Sequence, residues 1–159
     1  MNMQVQLNSI GTVAYRNGVP VIVLDGKVRD GLNGLNGFSH IVVIWWAHNF
    51  ADDMFREITV MDAPYTEGPE KIGVFATRSP VRPNPVAVST VQIASIDFDQ
   101  GEIHVPYIDA EEGTPVMDIK PYHPAEDRVR DVQVPGWCDS WPKWLEESAD
   151  FDWEKVFNF

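Results

Sequence analysis

The chain has 159 residues, 44% of them hydrophobic and 11% aromatic, enough for one folded domain with its own core and too apolar for a disordered chain. Its 24 acidic residues against 12 basic ones leave a net charge of −12, which excludes a general nucleic-acid binder with a broad basic face. The longest apolar run, Ile41 to Ala47, is too short to cross a bilayer, and the opening Met1-Asn2-Met3-Gln4 lacks the basic and apolar regions of a signal peptide. With Cys138 as the lone cysteine, no internal disulfide and no structural zinc set are expected, and a reducing cytoplasm is the expected location. In chain order, Gln4 to Ala14 reads as a first strand, with Gly11 hinting at a bulge. Asn17-Gly18 is a two-residue hairpin signal, and Pro20 to Leu24 reads as the returning strand. Four glycines between Asp25 and Gly37 limit that stretch to one helical turn around Lys27 to Leu32. The β-branched run from Ile41 predicts a strand buried on both faces, ending at the polar pair His48-Asn49. Arg56 to Met61 and Ile72 to Ala76 read as short strands, Val86 to Ile96 as the longest strand, and Glu102 to Ile108 as its return across Asp99-Gln100-Gly101.

Many short strands without a long amphipathic helix predict a mainly β fold, a small β-barrel over residues 1–134. Residues 135–159 form an aromatic-rich tail that packs on the barrel or on a partner subunit. Four of the six tryptophans lie in this tail, and Trp137, Trp141 and Trp144 have the spacing of one helical stripe. Its six acids against Lys143 and Lys155 would repel a phosphate backbone.

Two stretches carry candidate chemistry. In Gly73-Val74-Phe75-Ala76-Thr77-Arg78-Ser79-Pro80-Val81-Arg82-Pro83-Asn84-Pro85, three prolines fix φ, remove donors and push the residues before them toward extended geometry. No acidic residue occurs from Lys71 to Ile96, so Lys71, Arg78 and Arg82 give a local charge of +3. Such a reversal suits an anionic ligand or backbone; a rigid surface turn with solvated arginines has the same spacing, and Pro80 to Pro83 also matches a Pro-x-x-Pro peptide ligand. In the second stretch, Asp109 to Tyr122, a glycine turn precedes Asp118 and Lys120 on one strand face. They are either a surface ion pair or two halves of a site.

Gly73 to Pro85 resembles the signature of the TsaA/TrmO-like family, the tRNA-methyltransferase O group. Gly34-Leu35-Asn36-Gly37-Phe38-Ser39-His40 with the strand to His48, Val86 to Val91, and Gly113-Thr114-Pro115-Val116-Met117-Asp118-Ile119-Lys120-Pro121-Tyr122 resemble it in the same order. The likeness covers about residues 8–125. It implies S-adenosylmethionine as methyl donor without a metal, a β-barrel, a homodimer with sites near the subunit junction, and N-methylation of a threonylcarbamoylated adenosine beside the tRNA anticodon. It further implies cofactor contacts at His48, Asn49, Arg78, Val88, Ile108, Asp109, Gly113 and Thr114. The chain departs from the family pattern at Ala87, Val88 and Glu112, and the connection from Ala14 to Leu24 is abbreviated, without a Pro-Arg-Gln-like element.

Methyl transfer from a sulfonium requires alignment and a proton acceptor. The expected roles are Asp118 or Tyr122 for the proton, Lys120 beside the charge left on the acylated nitrogen, and Ser79, Arg82 and Asn84 toward the substrate, with tRNA met through the local basic patch. A non-catalytic S-adenosylmethionine sensor, or a methyltransferase for a small-molecule acceptor, is the alternative.

Overall fold

The computed structural model describes residues 3–159. Strand β1 (Gly11–Arg16) turns at Asn17 and Gly18, both at positive φ, into β2 (Val19–Leu24). Paired positive φ values at an Asn-Gly dipeptide make the tight turn whose twist matches two antiparallel strands, so this hairpin follows directly from two residues. At Gly11 the strands approach so closely that a Cβ would sit 2.2 Å from the Val23 carbonyl oxygen. A 3₁₀ turn at Arg29–Leu32 follows, then β3 (His40–Trp46). Beyond lie a second 3₁₀ turn at His48–Phe50, helix α1 (Asp53–Arg56) and the short strands β4 (Val60–Asp62) and β5 (Lys71–Gly73). The chain continues through β6 (Val86–Gln92), β7 (Ser95–Asp97), β8 (Glu102–His104), β9 (Pro115–Pro121) and helix α2 (Pro124–Asp127).

Seven strands form one sheet in the order β6-β3-β9-β1-β2-β8-β7. The expected barrel is corrected here: the sheet is open, because its two edge strands are consecutive pieces of chain and do not pair side by side. The stretch read as one strand, Val86 to Ile96, breaks at Ile93-Ala94. The Ile93 amide donates to Ser39 O at 2.9 Å and the next amide, Ala94, to His104 O at 2.8 Å, so β6 stays with β3 while β7 goes to β8. Closure needs a lateral ladder between first and last strands, and here they are joined end to end.

The chain divides into two compact units. The first runs to Asp52 and resumes over Asn84–Arg128; the second comprises Asp53–Pro83 and Val129–Phe159. The first holds the large sheet, with Val13, Ile22, Ile41, Val43, Ile103 and Val116 fully buried in its core. Glu102, also buried, is neutralised by both guanidinium nitrogens of Arg16, the pairing that a carboxylate withdrawn from water requires. In β3 the expected burial on both faces is half met, for Ile41 and Val43 are fully buried whereas Val42 and Ile44 keep partial contact with solvent.

Other expectations shift. The first strand begins at Gly11, and Met3, Val5 and Leu7 before it are exposed. Arg56 to Met61 shortens to β4, preceded by α1. The strand read over Ile72 to Ala76 ends at Gly73 and becomes a 3₁₀ turn over Val74–Ala76, and Glu102 to Ile108 keeps strand pairing only to His104.

In the second unit, the tail gathers around Tyr65, which stacks on Trp137 at 5.0 Å and meets Trp141 edge-on at 5.4 Å and Phe157 at 5.8 Å. The tryptophan stripe is not helical. A 3₁₀ turn at Gly136–Cys138 and another at Leu145–Asp150 flank Pro142, whose ring and missing donor interrupt a continuous ladder, and Trp144 is left exposed.

Candidate functional site

The apolar run of β3 ends at Trp46, where the buried Ala47 donates its amide to Pro85 O at 2.8 Å and the chain tightens into the turn carrying His48 and Asn49. Because β3 and β9 are antiparallel, the exit of β3 lies beside the entry of β9. That entry is the Gly113-Thr114 turn. Gly113 has φ +79°, a backbone that L side chains adopt at a cost. The pairing brings the turn of His48 and Asn49 to the turn of Gly113 and Thr114, with hydrogen bonds between them. Thr114 Oγ1, almost wholly buried, lies 3.4 Å from His48 Nδ1, and Asn49 donates its amide to Glu111 Oε2.

The stretch before this turn is held from β1. The Val13 carbonyl accepts from Gly113 N at 2.8 Å, and the Val13 amide donates to Thr114 O at 2.9 Å. Two residues on, the Tyr15 amide donates to Glu112 Oε2 at 2.6 Å, and the Tyr15 hydroxyl donates to Ala110 O at 2.8 Å, with Ile108 O at 3.3 Å. Ile108 is buried, whereas Asp109 is exposed between those two carbonyls. Burial first, then the charges of Asp109 and Glu112, push the Tyr15 phenol above its ordinary value; burial, Asp109 and Tyr15 do the same to Tyr107. Tyr15 and Glu111 tie this segment to β1 and to the turn after β3, and Tyr107 precedes it; sequence reasoning missed all three. A tyrosine in a short amphipathic strand carries no local sign that its hydroxyl closes a loop more than ninety residues away.

The expected catalytic residues lie along β9. Residues opposite one another on paired strands project from the same face, and the register Val88–Ile44–Asp118 therefore sets Val88 and Asp118 in one row, two strands and about 10 Å apart. Val88 is half exposed on edge strand β6. Lys120 occupies the next position on that face, and its ammonium pairs with Asp118 Oδ2 at 2.7 Å while Asp118 Oδ1 accepts from Ile119 N at 2.9 Å. Tyr122 lies past the strand end, its ring edge-on to His40 at 6.4 Å. At strand spacing Asp118 is about 13 Å along β9 from Thr114, and Tyr122 is about as far again beyond Asp118. Asn84, in this same unit, is exposed and its carbonyl accepts from Val86 N at 2.7 Å.

The proline loop of the second unit is built from its own side chains. Buried Thr77 donates its hydroxyl to Val74 O at 2.9 Å and accepts from Ser79 N at 3.2 Å; Ser79 Oγ accepts from Val81 N at 3.1 Å. The Arg82 guanidinium donates to three carbonyls, Val74, Thr77 and Ser79, each at 3.3 Å, and Arg56 Nε donates to Pro83 O at 2.9 Å. Ser79 and Arg82, expected at the substrate, thus spend these groups on the loop itself. Lys71 pairs with Asp62 at 3.6 Å. Arg78 is exposed, with no hydrogen bond or ion pair among the described residues.

An open antiparallel sheet with a polar turn at the β3–β9 end, accompanied by a self-bonded arginine-proline loop, defines a class of small mainly β domain. Residues 11–128 match the family model of the tRNA-methyltransferase O N-terminal domain. The chain belongs to that family. Among curated relatives it is 34% identical to an S-adenosyl-L-methionine-binding protein of Archaeoglobus fulgidus, over 75% of this chain and 80% of that one. It is 32% identical to the tRNA (adenine(37)-N6)-methyltransferase of Escherichia coli, over 78% of this chain but 53% of the enzyme. A crystal structure of TrmO from Pseudomonas aeruginosa superposes with a TM-score of 0.63 at 25% identity, covering 84% of this chain and 61% of that one. The chain thus spans little more than half of these two longer proteins.

Proposed function

We propose that this chain is an S-adenosylmethionine-dependent N-methyltransferase acting on a modified adenosine of tRNA, in the cytoplasm and as a homodimer. The observation that carries the reading is the family match over residues 11–128, within which the expected cofactor residues His48, Asn49, Gly113 and Thr114 meet at one end of the sheet. The donor set fits the group. Asp109, Glu111 and Glu112 supply negative charge for a sulfonium and an ammonium, and exposed Asp109 can accept from ribose hydroxyls. When bound, S-adenosylmethionine supplies an electrophilic methyl group.

The residues divide the remaining work. His48, Asn49, Val88, Ile108, Asp109, Gly113 and Thr114 hold the donor. Asp118 takes the proton from the methylated nitrogen, since of the two expected acceptors it is the one nearer Thr114 along β9; Tyr122 lines the same face. Lys120, paired to Asp118, steadies the charge left on an acylated nitrogen. Arg78, exposed, meets a phosphate of the tRNA, and Ser79 and Arg82 shape the loop that carries it.

The test is incubation with total tRNA and labelled S-adenosylmethionine, alongside a thermal shift with the unlabelled donor. At about 100-fold over its dissociation constant the donor adds about 2.7 kcal/mol of stability. Labelled tRNA supports the proposal, and absence of a shift removes the donor. Binding without label on tRNA favours the sensor or small-molecule reading, for which the relatives named only as S-adenosyl-L-methionine-binding proteins speak.

A further inference from the structure

We propose that Tyr15 is a positioning residue for the methyl donor, acting through Asp109 by clamping the main chain on both sides of it. The inference rests on the reading above, that Asp109 belongs to the donor site. Three bonds carry it. The Tyr15 hydroxyl donates to Ala110 O at 2.8 Å and lies 3.3 Å from Ile108 O, the two carbonyls that flank Asp109. The Tyr15 amide, on the same residue of β1, donates to Glu112 Oε2 at 2.6 Å. One residue therefore holds both ends of the Ile108–Glu112 segment, its side chain one end and its main chain the other.

The neighbouring residues lack this leverage. Val13 fixes Gly113 and Thr114 through the ladder, which any side chain at position 13 would preserve. Ala110 is buried, and removing the hydroxyl takes away the partner that its carbonyl has in Tyr15, a loss that frees the segment to move. Asp109 is itself exposed, and the carbonyls on both sides of it are held by Tyr15. Its direction is thus set by the phenol. A phenol is protonated at neutral pH, so the Tyr15 hydroxyl is available as a donor there, and burial first, then the charge of Asp109, pushes its value further up.

The experiment is a double-mutant cycle of Tyr15→Phe and Asp109→Ala, read in two ways. Calorimetry with S-adenosylmethionine gives affinity, and amide hydrogen exchange of the ligand-free protein gives the order of residues 108–112. The expected results are a roughly tenfold weaker donor affinity in Tyr15→Phe with unchanged kcat at saturating donor, no further weakening when Tyr15→Phe is added to Asp109→Ala, and faster exchange in the ligand-free segment in both backgrounds. An equal loss of affinity in both backgrounds makes Tyr15 a general structural residue and overturns the proposal, as does unchanged exchange of the segment in Tyr15→Phe. If the wild-type protein does not bind S-adenosylmethionine, the functional reading itself fails, whatever the exchange data show.

Discussion

The two loops that carry the candidate residues are stiffened in opposite ways. The Ile108–Thr114 segment is held from outside, by Val13 and Tyr15 of β1 and by the turn after β3. Most of its restraints come from residues more than sixty positions away. The Thr77–Pro83 loop is held from within, by its own prolines, the Thr77 and Ser79 hydroxyls and the Arg82 guanidinium, with Arg56 as an added tie. A loop restrained by distant strands has a geometry only as good as the sheet beneath it. A self-bonded loop keeps its shape on local chemistry. The first arrangement couples a site to the folding equilibrium; the second decouples it.

The largest expected effect tests whether chemistry lies beside the externally held segment. Asp118→Ala should lower methyl transfer by about 10²–10⁴-fold, the usual contribution of a positioned acid or base, and leave donor affinity intact. Wild-type turnover in radiolabel assays would detach β9 from the reaction. Next comes the self-held loop. Arg82→Ala strips a charged donor from three carbonyls and should cost about 1.5–3 kcal/mol in urea unfolding. Arg82→Lys should recover little, because an ammonium lacks the planar fork that spans three acceptors. Full recovery by lysine would mean that charge alone holds the loop.

The same contrast explains what was legible in the sequence. Local chemistry can be read from local residues. Asn17-Gly18 gave away the hairpin, the prolines gave away a stiff loop, and Gly113 marked a turn that adopts positive φ. Pairings at long range left no such trace. The alternation from Val86 to Ile96 reads as one strand because β-propensity does not register that β6 and β7 have different partners. The barrel expectation failed at that point. Likewise Arg82 looked available to a substrate because nothing in Arg-Pro-Asn-Pro reveals that three carbonyls converge on it. Tyr15 went unnoticed since its acceptors lie near residue 110. Family resemblance supplied His48, Asn49 and Thr114, whose meeting at one sheet end depends on the β3–β9 register that periodicity alone does not provide.

Smaller effects sharpen the comparison. At Gly113 a Cβ meets nothing within 4 Å, so Gly113→Ala isolates the backbone term of φ +79°. It should cost about 1–2 kcal/mol and weaken donor binding in parallel, with Gly113→Asn milder because Asn tolerates this region. A stability loss without an affinity loss would uncouple the turn from the donor. Arg78→Ala, in the self-held loop, should leave melting unchanged and reduce the slope of log K for tRNA against log salt by about 1. An unaltered slope would take Arg78 off the phosphate.

The last prediction separates the two loops by titration. The Tyr15 phenol is raised by burial and by Asp109 and Glu112, with Tyr107 adjoining, so its folded value lies above the unfolded value of about 10. A raised value means that the folded state holds the proton more tightly. That contribution is fully present below pH of about 10 and is lost as pH rises through the folded value. Urea unfolding between pH 8 and 11.5 should show this alkaline loss in the wild type and a shallower one in Tyr15→Phe, with Tyr107→Phe as the control for its neighbour. The Thr77–Pro83 loop offers no titrating group in that window, as its guanidinium stays charged, so Arg82→Ala should lower the whole curve without changing its alkaline slope. A Tyr15→Phe curve parallel to wild type would show that the phenol does not couple the Ile108–Thr114 segment to the fold.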